Sequence, residues 1–316
     1  MQELPTLKLK KDEDRRLRSG HLWIFSNEID VAATPLKGFE KGQLARIESH
    51  KSEFIGIGYV NSESLITARL LSRSPSCTPN ADFFKHRLKQ ALSLRETFYG
   101  KPFYRLVYGE SDGLPGLIVD RFGDVFVVQA NTAGMDGLLD PLLEAMTSIF
   151  EPKAVVLRNS SGLRTLEGIE IYDKVVFGQL DGVVEIIENG ARFHVDPLAG
   201  QKTGWFFDHR ENRRLLGGLC QGKEVLDLFS YSGAWTIPCA QNGAKVTSVD
   251  ASQSAIDLLR ASALLNGVES AVDPICEDVF DFLKDARERR QKFDVVVVDP
   301  PAFIKRKKDL RKGLEG

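Results

Sequence analysis

Val225-Leu226-Asp227-Leu228-Phe229-Ser230-Tyr231-Ser232-Gly233 is the stretch that decides the fold. The apolar run broken by one acid reads as a strand and Ser230 to Gly233 as a tight turn, with a helix starting at Ala234-Trp235-Thr236-Ile237. Three more strand-like runs end in carboxylates at βα-repeat spacing: Val246 to Asp250, Pro274 to Asp278, and Phe293 to Asp299, the last followed by Pro300-Pro301. Helical segments lie between them, so the expected sheet is parallel. In an open parallel sheet, acids at the carboxyl ends of successive strands converge on one cleft.

Asp250 follows Asp227 at about the interval, roughly 20 residues, at which an acid after the second strand holds ribose hydroxyls in dinucleotide folds. The turn lacks the G-x-G-x-x-G that lets a backbone approach a pyrophosphate. It offers Gly233 among hydroxyls and an aromatic. The pattern therefore argues against a dinucleotide and for S-adenosylmethionine, whose cationic sulfonium suits a ring of carboxylates.

Five ordered motifs extend this reading: Gln201-Lys202-Thr203-Gly204-Trp205-Phe206-Phe207-Asp208-His209-Arg210-Glu211-Asn212, then DLFSYSG at 227–233, SVD at 248–250, EDVF at 277–280 and DPPAF at 299–303. Together they resemble the PUA-domain class I methyltransferases that make 5-methylcytosine in large-subunit ribosomal RNA. The resemblance implies three domains: a PUA-like RNA-binding β-barrel over 1–76, a small α/β domain over 77–182, and a Rossmann-like class I methyltransferase sheet over 183–316. It also implies S-adenosylmethionine as cofactor. The implied cofactor set is Gln201, Thr203, Asp208, Arg210, Asp227, Phe229, Ser230, Tyr231, Gly233, Asp250, Ala251, Asp278, Val279 and Asp299. His209 stands where the family carries glutamine, and its expected place is on the surface, away from the ligand.

Composition adds limits. The 316 residues carry a net charge of −2, with 42% hydrophobic and 27% charged residues, as in an ordinary globular protein. Any contact with ribosomal RNA must then be a local patch. No apolar run approaches the ~20 residues of a membrane span, and the first residues lack a signal sequence, so a cytoplasmic location is expected. Cys77, Cys220, Cys239 and Cys276 are widely spaced and form no C-x-x-C pair, which fits reduced thiols and no metal site.

The candidate RNA patch is Lys8, Lys10, Lys11, Arg15, Arg16 and Arg18, with Trp23 and Phe25 close behind. Cations beside aromatics suit phosphate contact and base stacking. A solvated basic face with Trp23 in the core is the other reading. In the middle domain, a helix is expected from 81 to about 100, a meander over 105–129, a helix from about Met135 to Phe150 and a strand from Ala154 to Arg158. Glu110-Ser111-Asp112-Gly113 reads as a turn, and the domain's role is left among spacing, RNA contact and homodimerisation. Asn189-Gly190 between Val183–Ile187 and Arg192–Val195 predicts a hairpin.

The expected catalytic turn is Asp299, Pro300, Pro301 and Phe303: prolines for rigidity, the aromatic to pack on a flipped base, the aspartate to accept from an exocyclic amine. Methylation at carbon 5 of cytosine also needs a cysteine thiolate that adds to carbon 6. Cys220 precedes the first strand, Cys239 lies in the first helix, and Cys276 reads as core. The family's thiol follows a later strand, so the sheet is expected to be incomplete, with a C-terminally truncated chain and the nucleophile beyond Gly316. Enzymes that methylate exocyclic amines use a similar Asp-Pro-Pro turn without cysteine, which is one alternative reading; an RNA-binding fragment without activity is the other.

Overall fold

In Gln43–Glu48, Ala45 and Ile47 are buried between half-buried neighbours, the period of a strand with one covered face. The same pattern builds the N-terminal sheet of the computed structural model, which describes residues 4–302. Its elements are β1 (Thr6–Lys8), α1 (Arg15–Arg18), β2 (Trp23–Ile24), β3 (Gln43–Glu48), β4 (Phe54–Val60) and β5 (Ala68–Ser72). The strand order is β1-β3-β4-β5-β2, parallel at β1–β3 and antiparallel elsewhere. Leu7, Leu9, Leu17, Ile24, Ile47 and Val60 fill its core.

A second sheet follows. α2 (Ala81–Phe98) begins where the Asn80 side chain accepts the Phe83 N–H at 3.1 Å, and it buries Phe84, Leu88 and Ala91 on one stripe. Next come β6 (Phe103–Tyr108), β7 (Leu117–Phe122), β8 (Val125–Ala130), α3 (Ala133–Asp136), α4 (Leu139–Phe150), β9 (Ala154–Asn159), α5 (Gly162–Leu166) and β10 (Tyr172–Gly178). The order is β10-β9-β8-β7-β6, antiparallel except at β8–β9. The single helix expected from about Met135 is therefore two, broken at Gly137-Leu138. α5 and β10 escape the sequence reading: one is five residues long, and the other is a largely exposed edge strand.

These two sheets belong to one compact unit, which runs to Gly182 and includes Pro197–Gly204. Tyr59 of β4 is fully buried, and its hydroxyl donates to the Pro115 carbonyl at 2.9 Å. Gly134 is required beneath it, because a Cβ there would lie 1.9 Å from Tyr59 Cγ. Arg69 of β5 and Glu167 form a buried ion pair at 2.9 Å, and Asn61 donates to the same carboxylate. Breaking such a pair costs about 3–5 kcal/mol, so the two sheets depend on each other.

The second unit comprises Val183–Asp196 and the chain from Trp205. β11 (Val184–Glu188) and β12 (Ala191–Val195) make the expected hairpin, with Asn189 at φ +52° and Gly190 at φ +88°, as a type I′ turn demands. Then come α6 (Arg210–Leu219), β13 (Glu224–Leu228), α7 (Thr236–Gln241), β14 (Lys245–Asp250), α8 (Gln253–Leu265), β15 (Val272–Cys276), α9 (Val279–Glu288) and β16 (Val295–Val298). The sheet is parallel, in the order β15-β14-β13-β16.

Several boundaries shift from expectation. The third strand ends at Cys276, the ladder partner of Asp250, and not at Asp278, which instead caps α9 through its side chain. The helix after the turn starts at Thr236. Cys276, expected in the core, is exposed on the edge strand β15. The run Val295–Val298 forms the other edge of the described sheet, with Val296 and Val298 exposed.

Candidate functional site

The site forms where β13, β14 and β16 end. Asp227, one residue before the end of β13, is fully buried; its Oδ2 accepts the Thr236 hydroxyl at 2.6 Å, and that hydroxyl lies 2.7 Å from Ser248 Oγ. Its Oδ1 has no hydrogen-bond partner within the protein. Burial raises its pKa from 3.8 to about 7, and the nearby Asp299 and Asp250 add to the shift. A buried acid this close to half-ionisation at neutral pH is poised to respond to a cation.

The turn after β13 is strained. Phe229 and Tyr231 take left-handed φ values of +59° and +48°, and Gly233 takes +84°. Such a conformation costs a non-glycine residue about 1–3 kcal/mol and persists only where surroundings enforce it. Asp250 is the enforcer: its Oδ2 accepts the Tyr231 N–H at 2.9 Å and its Oδ1 the Ser252 N–H at 2.9 Å. Ser230 N–H donates to the Val249 carbonyl at 3.1 Å. At Gly233 a Cβ would lie 2.9 Å from Leu259 Cγ. The turn thus holds the buried Ser230 and Ser232 hydroxyls, neither of which has a protein partner.

Asp299, at the end of β16, accepts the Trp235 indole N–H at 3.1 Å, and His209 Nε2 stands 4.0 Å from the same oxygen. His209 packs against Trp235 with ring centroids 5.6 Å apart. It faces the strand ends, which corrects the expectation that it points away; the N-terminal end of α6 carries it there. Pro300 and Pro301 are exposed, and Phe303 lies outside the described residues.

The other expected cofactor residues divide. Ala251 and Asp208 are exposed; Asp278 Oδ1 is engaged with the Phe280 N–H at 2.9 Å; Val279 packs into the core with Leu226, Leu228 and Val249, leaving its backbone to any ligand. Arg210 Nε lies 3.5 Å from the buried Glu188 carboxylate. That carboxylate also takes Arg213 Nε at 2.7 Å and the Trp205 indole at 3.0 Å, fastening residues 205–213 to the hairpin. Sequence reasoning missed Glu188, Trp205 and Arg213, although Glu188 borders the Asn-Gly turn. Gln201 and Thr203 belong to the first unit, where the Thr203 hydroxyl donates to Asp120 at 2.6 Å.

No described cysteine stands beside Asp299. Cys220 and Cys239 are buried, and burial together with Cys220 pushes the Cys239 thiol far up. Cys276 is on the opposite edge strand from β16, three strand spacings or roughly 14 Å across. Among the described residues no group of His, Cys, Asp and Glu could hold a metal, and no helix is long and apolar enough to cross a membrane.

In the basic patch of the first unit the three arginines are paired with carboxylates, and, among the described residues, the three lysines are not. Arg15 pairs with Asp12 at 3.0 Å, Arg16 with Glu28 at 2.6 Å, and Arg18 with both Asp14 and Glu53. Lys8 donates to Ser52 Oγ and Lys10 to the Asn27 carbonyl, while Lys11 is exposed. Trp23 is half-buried, its indole donating to Glu110 at 2.7 Å.

Residues 7–73 match the PUA-like domain family, and 174–313 match the S-adenosylmethionine-dependent methyltransferase family. Ribosomal RNA large subunit methyltransferase I of Klebsiella pneumoniae (strain 342) is 35% identical over 318 residues, covering 99% of this chain and 79% of the relative. The protein of that name from Escherichia coli O157:H7 is 34% identical over 317 residues, covering 98% and 79%. A solved structure assigned as a methyltransferase complexed with SAH superposes with a TM-score of 0.81 at 24% identity, covering 99% of this chain and 83% of that one. One assigned as a SAM-dependent methyltransferase from Streptococcus mutans gives 0.79 at 24%, covering 99% and 82%. At that identity the likeness shows the fold.

Proposed function

The chain belongs to the ribosomal RNA large subunit methyltransferase I family, and from that premise we propose that it methylates a base of large-subunit ribosomal RNA in the cytoplasm, using S-adenosylmethionine. The observation that carries this reading is the cluster of buried polar atoms at the strand ends that lack protein partners: Asp227 Oδ1, Ser230 Oγ and Ser232 Oγ. Leaving such atoms unsatisfied costs about 1–3 kcal/mol each, which a polar, cationic ligand would offset.

The cofactor supplies a methyl group on a sulfonium, a reactive donor that needs alignment more than acid–base help. Asp227 and the backbone around Gly233 would hold its methionine end. Asp250, with lone pairs left on both oxygens, would accept the ribose hydroxyls, and Asp278 the adenine amine. Phe229, Ser230, Tyr231, Ala251, Asp208, Arg210 and the Val279 backbone would complete the lining, with Gln201 and Thr203 included on the resemblance alone. Asp299, Pro300 and Pro301 would receive the target base, with Trp235 and His209 fixing the carboxylate.

Carbon 5 of cytosine is the target that the resemblance of the five ordered motifs supports. The exposed Asp299 carboxylate, with no described thiol beside it, favours an exocyclic amine as a second reading. Incubating the full-length gene product with labelled S-adenosylmethionine and unmodified large-subunit RNA should yield labelled 5-methylcytidine on nucleoside analysis. An amine-methylated nucleoside would select the second reading; unlabelled RNA would overturn both.

A further inference from the structure

The first unit holds a half-open cavity of about 1040 Å³, lined by Trp23 and Arg69 of the N-terminal sheet, Tyr108 and Gln129 of the middle sheet, and Asn131 just after β8. Its charges are balanced: Arg69, Arg158 and Lys202 against Glu63, Glu110 and Glu167. Most are already engaged. Arg69 pairs with Glu167 at 2.9 Å, Arg158 with Asp173 at 3.2 Å, and Glu63 with Lys41 at 2.8 Å. A cavity so neutralised does not suit a phosphate; it suits a neutral polar ring.

Two buried polar atoms ask for such a ligand. Asn131 is only 8% exposed, and its Oδ1 accepts from nothing in the protein. Arg69 Nε is likewise buried and donates to nothing. Both residues line the cavity, and an acceptor and a donor on them match the hydrogen-bonding edge of a nucleobase, the feature by which proteins read unpaired RNA. Tyr108 adds a surface for stacking: it is 56% exposed, with the Arg105 guanidinium 5.5 Å from its ring centroid. The exposed Leu163 also lines the cavity and provides apolar contact.

We propose that this cavity binds an unpaired nucleobase of the RNA substrate, at a site other than the one that carries out methyl transfer. The proposal rests on the RNA-methyltransferase reading. It also moves Trp23 from the basic patch, where the sequence grouped it, to a base-binding wall.

The test is fluorescence anisotropy of the full chain with an end-labelled unpaired 12-nucleotide RNA and with a 12-base-pair RNA duplex. Tyr108→Ala should weaken binding of the unpaired RNA about tenfold, the scale of one lost base–aromatic stack. Tyr108→Phe should restore it, and duplex binding should change less than twofold. Unchanged thermal unfolding is expected, since Tyr108 is exposed. If the wild type binds unpaired RNA and Tyr108→Ala binds it equally well, this proposal is overturned alone. If the wild type binds neither RNA, the RNA reading falls with it. If adenosine monophosphate binds with the same sensitivity to Tyr108→Ala while RNA binding has none, the ligand is a free nucleotide and the RNA assignment is wrong.

Discussion

Two charged clusters in this chain differ in what they meet in the fold. Arg15, Arg16 and Arg18 find carboxylates of their own unit, whereas the carboxylates of Asp227, Asp250 and Asp299 meet no lysine or arginine among the described residues. Surface ion pairs of the first kind are worth about 0–1 kcal/mol and hold a fold together locally. At the strand ends burial raises the pKa of Asp227, and the nearby charges of Asp299 and Asp250 add to the rise. The paired arginines fasten the scaffold, and the strand-end carboxylates, left without cations, point to a ligand of opposite sign.

The largest expected break of this contrast is Gly233→Val. With φ at +84° and Leu259 2.9 Å from any added Cβ, the turn must move, so stability should drop by about 2 kcal/mol on chemical denaturation and cofactor binding should be lost. Asp227→Asn keeps the size and removes the charge. Calorimetry should show S-adenosylmethionine bound roughly 10- to 100-fold more weakly, the range for a lost hydrogen bond to a charged group.

The same variant sharpens the contrast through pH. The folded-state pKa of Asp227 is about 7, against 3.8 when exposed, so between those values the folded chain keeps a proton that the unfolded chain has released. Its contribution to stability is full below about pH 3.8 and is lost as pH rises through about 7. Asparagine lacks that loss. The melting temperature of Asp227→Asn relative to wild type should therefore climb from pH 5 to pH 8; a constant difference would mean that Asp227 titrates normally.

Asp250→Ala should weaken cofactor binding by about tenfold, because it removes both the ribose acceptor and the anchor of the Tyr231 N–H. Smallest of all should be Arg15→Gln with Arg18→Gln. These cations are already paired, so RNA affinity should change less than threefold in a binding titration. A large loss, with a shallower salt dependence, would show the patch to be a phosphate site after all.

What the sequence revealed follows the same line. Strands ending in acids, the Asn189-Gly190 hairpin and α2 were legible because each rests on local chemistry: alternation, an I′ turn, a capped apolar stripe. Asp278 was read as a strand end because an acid after an apolar run looks the same whether it ends the strand or caps the next helix. Cys276 was placed in the core because a strand's own sequence does not say whether it lies at an edge. His209, Glu188 and Arg213 were missed or misplaced because their partners lie far off in sequence: Asp299 for the first, and Glu188 and Arg213 for each other. The cavity beside Trp23 depends on two sheets meeting, which no single stretch encodes.

The central claim, that leftover negative charge at the strand ends awaits a cation, is tested most directly by proton release. Titrating the full-length gene product at pH 7 in two buffers of different ionisation enthalpy gives the protons exchanged on binding S-adenosylmethionine and, separately, its neutral thioether product. With Asp227 at a pKa of about 7, the sulfonium should drive it to the ionised form and release roughly half a proton more than the thioether does. Equal proton counts and equal affinities for the two ligands would contradict the account.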